Sequence, residues 1–132
     1  MPGELNRVSA GGCNVWGVND NHDIYQYNDG GWINIPGKLV EISCAADGTV
    51  CGVNAADQIF QYNRQNQSWH VIVGSLIQIA VANNNLFWGV NRHGNIFWCD
   101  SSHEWHMVCA SSYFFLLILL YPASFSKIFT SL

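Results

Sequence analysis

Charge is scarce in this sequence: 11% of its residues are charged, less than half the usual share. The few Lys and Arg are scattered and the net charge is -4, so there is no basic patch and nucleic-acid binding is excluded. No Cys-x-x-Cys pair occurs, which removes the commonest zinc signature. There is no nucleophile elbow, phosphate-binding loop or paired-carboxylate motif, so nothing supports an enzyme. Long apolar runs are missing too. The longest, Tyr113 to Tyr121, covers nine residues and stops at Pro122, far short of the ~20 needed to cross a bilayer. No polar spacer precedes it, so lipid-anchor processing fits poorly and a membrane partner is not expected. No basic-then-apolar segment opens the chain, so no signal peptide is read there.

What the sequence does have is apolar bulk and repetition. Its 132 residues make one ordinary domain, and 49% hydrophobic and 14% aromatic content is enough for a core. The tripeptide Gly-Val-Asn occurs at 17–19, 52–54 and 89–91, spaced by 35 and 37 residues. An Ile-aromatic pair follows each (Ile24-Tyr25, Ile59-Phe60, Ile96-Phe97), then a Trp (Trp32, Trp69, Trp105), and a Leu leads each unit (Leu5, Leu39, Leu76). Four landmarks in fixed order, three times over, define an internal repeat of 34 to 37 residues and point to a solenoid, a propeller or a bead array.

Each unit reads as four short strands. In the second, residues 39–44 are rich in strand formers and run into Asp47-Gly48, a favoured two-residue hairpin turn, after which residues 49–53 return. Strands at 59–62 and 69–73 follow, with no helix-period segment between. The expected fold is all-β: three four-stranded antiparallel blades at 4–38, 39–75 and 76–109, then an apolar tail at 110–132 unrelated to the repeats. The repeated Gly is expected to let an aromatic of the neighbouring blade lie on the strand, and the repeated Asn to cap a turn. Pro2-Gly3-Glu4-Leu5 matches the Pro36-Gly37-Lys38-Leu39 junction, so the sequence is expected to begin at the tail of a preceding unit. The apolar end is read as foreign to the blades, such as read-through past a splice site, with a tail anchor or a packed terminal element as alternatives.

The Leu-x-x-(Ile/Val)-x-(Ala/Cys) lead, the Trp-Gly-Val-Asn core, the (Asp/Asn)-x-Ile-(Tyr/Phe) follow-on and the Trp…Pro-Gly close resemble tectonin repeats, nearest in character to those of the fish-egg lectins. The resemblance covers residue 2 to about 108. It implies a tectonin-type β-propeller, normally of six blades, in secreted proteins that bind bacterial surface glycans in innate defence. Three repeats make an incomplete propeller of that kind. Glycans are therefore the expected partners and secretion the expected location, with a cytoplasmic scaffold for membrane traffic as the alternative. Open outer faces, especially that of repeat three (Leu86, Phe87, Trp88, Ile96, Phe97, Trp98), are expected to promote self-association.

A sugar site needs an aromatic face for the ring and planar polar groups for its hydroxyls and acetamido group. The repeat-equivalent candidates are Asn19, Asp23 and Tyr25; Asn54, Gln58 and Phe60; Asn91, Asn95 and Phe97; with Trp32, Trp69 and Trp105 as platforms. Turn capping and blade packing account for each of them equally well. Other motifs carry less. Cys44 and Cys51 flank Asp47-Gly48 symmetrically, and either a cross-strand disulfide or two buried thiols follows; Cys99 and Cys109 form a second candidate pair, leaving Cys13. Asn19-Asp20-Asn21-His22-Asp23 gathers oxygens as a calcium loop does, but lacks the central Gly and distal Glu, so a polar hairpin loop is preferred and no cofactor is expected. His103 and His106 are expected in a solvated turn rather than on a metal, and Asn66-Gln67-Ser68 is a glycosylation sequon on a surface loop.

Overall fold

The computed structural model describes residues 4–12 and 14–108. They form twelve strands. The first sheet holds β1 (Leu5–Gly11), β2 (Asn14–Asn19), β3 (Asp23–Asn28) and β4 (Gly31–Lys38); the second β5 (Glu41–Cys44), β6 (Val50–Val53), β7 (Ile59–Asn63) and β8 (Ser68–Ile72); the third β9 (Gln78–Asn83), β10 (Leu86–Val90), β11 (Ile96–Cys99) and β12 (Trp105–Val108). Each sheet is a four-stranded antiparallel meander in chain order, and no helix occurs among the described residues. These are three consecutive propeller blades. The expected tail at 110–132 and the Cys13 and Cys109 thiols lie outside the described residues.

The core lies in the seams between blades, where β5 touches β1 and β2, and β9 touches β5 and β6. Trp16, Val18, Ile24 and Ile35 of the first blade pack against Leu39, Ile42, Cys44 and Val50 of the second. The next seam joins Cys51, Val53, Ile59 and Ile72 to Leu76, Ile79, Val81, Phe87 and Cys99. A strand whose two faces meet two different blades is apolar on both, and β6 is buried along its whole length. Trp16 is wholly buried with no oxygen or nitrogen acceptor for its Nε1; its neighbours are the rings of Tyr62 and Trp69, at 5.0 and 6.0 Å in T-shaped geometry.

Hydrogen bonds pin the seams at repeat-equivalent points. The Cys44 N–H donates to Ser9 Oγ and the Val81 N–H to Ser43 Oγ, each at 2.9 Å. Arg7 bridges to Glu41 at 2.9 Å across the first seam, and Arg92 grips Asp57 across the second.

Four expectations are corrected. The repeated Gly makes room within its own blade: a Cβ on Gly52 would lie 2.5 Å from Leu39 Cδ1 and 2.7 Å from the Glu41 carbonyl oxygen. Gly17 and Gly89 face Leu5 and Leu76 in the same way, so the repeated Gly and the repeated Leu are a matched pair. The second-blade hairpin is longer than a two-residue turn. Gly48 donates to Ala45 at 3.0 Å, Ala45 donates to Thr49 at 2.8 Å, and Gly48 takes φ +89, so Cys44 pairs with Val50 and Cys51 with Ser43. Cys44 therefore faces the first seam and Cys51 the second, and with Cys99 all three are free buried thiols. Burial raises all three thiols above their ordinary range, Cys99 to about 11.

His106 does not sit in a solvated turn: it lies in β12 and stacks on Trp98 at 4.3 Å, while His103 in the preceding loop stacks on Phe87 at 6.1 Å. The apolar residues of repeat three are not exposed either. Leu86, Phe87, Trp88 and Ile96 are buried, and Val90, Trp98 and Val108 pack against three of them.

Candidate functional site

The loop after each Gly-Val-Asn has one design. In the second blade Asn54 Oδ1 accepts the N–H groups of Ala56 and Gln58 at 3.0 and 2.9 Å; Asn19 and Asn91 do the same at the matching positions. A short polar side chain can thus close a turn on its own backbone. The left-handed residue is three places on, at His22 (φ 66), Asp57 (φ 63) and Gly94 (φ 82). In the first two loops that residue's carbonyl accepts the N–H of Leu39 or Leu76 at 3.0 Å, tying the loop to the start of the next blade. The Asn oxygens are therefore committed to structure. Two of the amide groups are partly spent as well: Asn19 Nδ2 donates to Asp23 Oδ2 at 3.4 Å and Asn54 Nδ2 to Gln58 Oε1 at 2.8 Å, which leaves each one N–H.

In the first blade the same loop contains the oxygen cluster considered for calcium. Asp23 there is paired with the Lys38 ammonium, which also donates to the Asn21 carbonyl at 3.1 Å. That hydrogen bond outweighs burial and holds the Asp23 carboxyl below its usual range. A lysine bound inside the loop takes the place a cation would need. Among the described residues no group of three or more His, Cys, Asp or Glu side chains is placed to hold a metal.

Beside this loop, in the first seam, is a cavity of about 240 Å³ lined by Ile24, Gly37, Lys38, Leu39, Asn54, Phe60 and Trp69. Trp69 forms one wall and is fixed there, its Nε1 donating to the Pro36 carbonyl at 3.1 Å. Gly37 (φ +130) makes this approach possible, since a Cβ would lie 3.2 Å from Trp69 Nε1 and 3.1 Å from Ile24 Cδ1. The cavity thus offers two aromatic side chains, an aliphatic floor, one ammonium and one carboxamide.

Three of the four second-repeat candidates, Asn54, Phe60 and Trp69, line this cavity, and Gln58 bonds Asn54 at its edge. Phe97 and Trp105 pack on the second seam, where Gly74 (φ +139) faces Ile59 and Trp105 as Gly37 faces Ile24 and Trp69. Asn91 and Asn95 form the loop there, and Ser75 stands in the chain position of Lys38. Asn19, Asp23, Tyr25 and Trp32 belong to the first blade. Tyr25 pairs with Gly17 and Asn34 across the strands, and Trp32 meets Tyr27 at 5.4 Å, so these four are not brought to the Asn54 cavity. The wall from the preceding blade was not singled out in the sequence. The glycine of the repeat junction was its signal, because Trp69 packs against Gly37 and Trp105 against Gly74.

The tectonin domain family matches residues 1–116. This chain belongs to that family. It is 44% identical over 64 residues to Tectonin-2 of Physarum polycephalum (47% of this chain, 18% of the relative). It is 40% identical over 68 residues to the fish-egg lectin of Cyprinus carpio (45% of this chain, 29% of the relative). The chain spans less than a third of the length of these relatives. Among solved structures, human WBSCR16 superposes with TM-score 0.67 at 13% identity, covering 86% of this chain and 41% of that one. YCF48 bound to D1 peptide gives TM-score 0.63 at 18% identity, covering 81% and 41%. Likeness at such identity speaks to the blade fold alone.

Proposed function

We propose that this tectonin chain is a carbohydrate-binding module whose first-seam cavity, and by repetition the equivalent place at the second seam, takes N-acetylglucosamine-type units, as found on bacterial surface glycans. The observation that carries the reading is the first-seam cavity, where Phe60 and Trp69 meet Asn54 and Lys38. Apolar ring faces of a sugar can lie on the aromatics while its hydroxyl and acetamido groups meet the remaining amide and ammonium donors. At about 240 Å³ the cavity is below the ~300–1,000 Å³ of drug-sized sites, which suits one sugar unit rather than a long chain. The 40% identity to a fish-egg lectin over 68 residues supports the same class. The test is retention of the folded protein on immobilised N-acetylglucosamine and its elution by free sugar. A folded sample that passes unretained at millimolar ligand density overturns the reading.

A second reading, an intracellular scaffold for protein interactions in membrane traffic, is favoured by the free thiols of Cys44, Cys51 and Cys99. Mass spectrometry of the expressed protein with and without thiol labelling separates the two: fully labelled cysteines support the scaffold, and disulfides support a secreted lectin.

A further inference from the structure

A second, shallow and broadly open cavity of about 510 Å³ lies at the other end of the blades from the Asn54 loop, between the β5–β6, β7–β8 and β9–β10 turns. Part of its lining is a chain of hydrogen bonds across the second seam. Gln61 Nε2 donates to Asn84 Oδ1 at 2.9 Å, and the Asn84 N–H donates to Asp47 Oδ2 at 2.8 Å. The Thr49 N–H fills the other Asp47 oxygen at 2.9 Å. Asn63 Oδ1 accepts the Gln65 N–H at 2.9 Å, which fixes the turn carrying Arg64.

Arg64 is the unusual member. Its guanidinium rests on Gly48: a Cβ at that glycine would lie 3.1 Å from Nη2 and 3.2 Å from Cζ and Nη1. Arg7, Lys38 and Arg92 pair with Glu41, Asp23 and Asp57, so among the described Lys and Arg only Arg64 has no carboxylate partner. Asp47 shares the cavity without pairing to it, both of its oxygens being engaged by backbone N–H groups. A cation that rests against Gly48 without a counter-ion, at the edge of a cavity of ligand size, leaves a position for an anionic group. Asn84, Gln61 and His70 line the same cavity, and Gln61 and Asn84 each retain hydrogen-bonding capacity. Together they match a polyhydroxylated ligand that carries one negative charge.

We propose that this cavity is a second saccharide subsite, selective for a sugar unit bearing a carboxylate. Arg64 holds the carboxylate through paired N–H···O bonds, and Asn84 and Gln61 read the ring hydroxyls. The choice of a saccharide rests on the carbohydrate-binding reading above; the site and its charge selectivity do not. The positions equivalent to Arg64 in repeats one and three are Asp29 and Ser101, so there is one such subsite per three blades.

The test is calorimetric titration of the full chain with methyl β-glucuronide, methyl β-glucoside and sodium acetate. The glucuronide binds with one-to-one stoichiometry and more weakly as salt is raised, while the glucoside and acetate bind at least about tenfold more weakly. Losing a charge-assisted hydrogen bond costs ~10-fold or more, so Arg64→Ala loses that factor and Arg64→Lys falls between. Should Arg64→Ala not fold, Asn84→Asp, which sets a like charge beside the carboxylate, loses binding instead. Equal binding of glucoside and glucuronide, an unaffected folded Arg64→Ala, or acetate binding as tightly as the glucuronide overturns the proposal. Glucuronide binding that persists while N-acetylglucosamine retention fails sinks the seam-cavity reading alone.

Discussion

Trp105 reaches out of the third blade and donates its indole N–H to the Val73 carbonyl at 2.8 Å, closing the second seam over Gly74. Trp69 makes the equivalent bond to Pro36 across the first seam. A residue chosen from the sequence as a sugar platform is therefore also a clasp between blades. The two roles are compatible, because the hydrogen bond fixes the ring edge and leaves the remaining ring surface to form a wall. On the proposed function, stability and sugar binding would share one side chain, and substitutions have to be designed to separate them.

Trp105→Phe keeps an aromatic ring but removes the bond to Val73. The expected loss is about 1 kcal/mol of unfolding free energy, the ordinary net worth of such a bond. Trp105→Ala also loses packing and costs about 3–5 kcal/mol. Urea unfolding of the parent and the two variants separates the terms; a Phe variant as stable as the parent would mean that the hydrogen bond contributes nothing.

Gly74→Ala is expected to be costly twice over. Its φ of +139 disfavours any L side chain, and the new Cβ would lie 3.0 Å from Trp105 Nε1 and from Ile59 Cδ1. Gly30 has φ +86 but nothing within 4 Å of an added Cβ, so Gly30→Ala pays only the backbone term, about 1 kcal/mol. Comparing their denaturation midpoints separates crowding at the clasp from backbone strain. A Gly30 variant that loses as much as the Gly74 variant contradicts the contact geometry.

The blades were legible because their signals are repeated: a Leu, a Gly, an Ile and a Trp recurring in order leave little choice of strand or pairing. What stayed hidden depends on contacts between strands, within a blade as well as between blades, which the order of the landmarks does not encode. Nothing in the chain order indicates that Gly52 faces Leu39, or that Lys38 of one blade shares a cavity with Phe60 of the next. The Cys44 and Cys51 relationship was misjudged for a different reason. One extra residue in the hairpin shifts the pairing by one, and with a side-chain period of two that turns the two thiols to opposite faces. Arg64 was passed over because a single arginine in a polar turn carries no pattern; only its lack of a partner, visible in three dimensions, sets it apart.

Acid should weaken the second seam through Asp57. Hydrogen bonds from Arg92 at 3.0 and 2.6 Å outweigh burial and hold the Asp57 carboxyl below its ordinary value. A carboxyl with a depressed folded-state value contributes stability that is complete above the ordinary carboxylate range, near pH 4, and fades as the pH falls through the depressed value. The arginine is largely exposed, so the contribution is small and screened by salt. Arg92→Met should therefore lower the unfolding midpoint at pH 7 and have no effect at pH 2. A midpoint difference that persists unchanged in acid removes the ion pair as its cause.

Phe60 offers the means to separate sugar binding from folding. It packs against the first-seam core and lines the cavity, so truncation to Ala would disturb both. Phe60→Leu keeps a large apolar side chain and is expected to cost less than about 1.5 kcal/mol of stability. It removes the flat face on which a sugar ring can lie, a contact expected to be worth about 0.5–1.5 kcal/mol, so affinity at that cavity falls by a few-fold up to about tenfold. Phe97→Leu does the same at the second seam, where Phe97 packs in the equivalent place. If both seams bind, a surface rich in N-acetylglucosamine engages them together, and effective concentration multiplies their affinities. Each single variant should then lose more retention on a dense column than it loses affinity for free sugar, and the double variant should show no avidity at all. Parallel titrations in solution and on the column read this directly. Two folded single variants with unaltered solution affinity would place the sugar elsewhere on the blades.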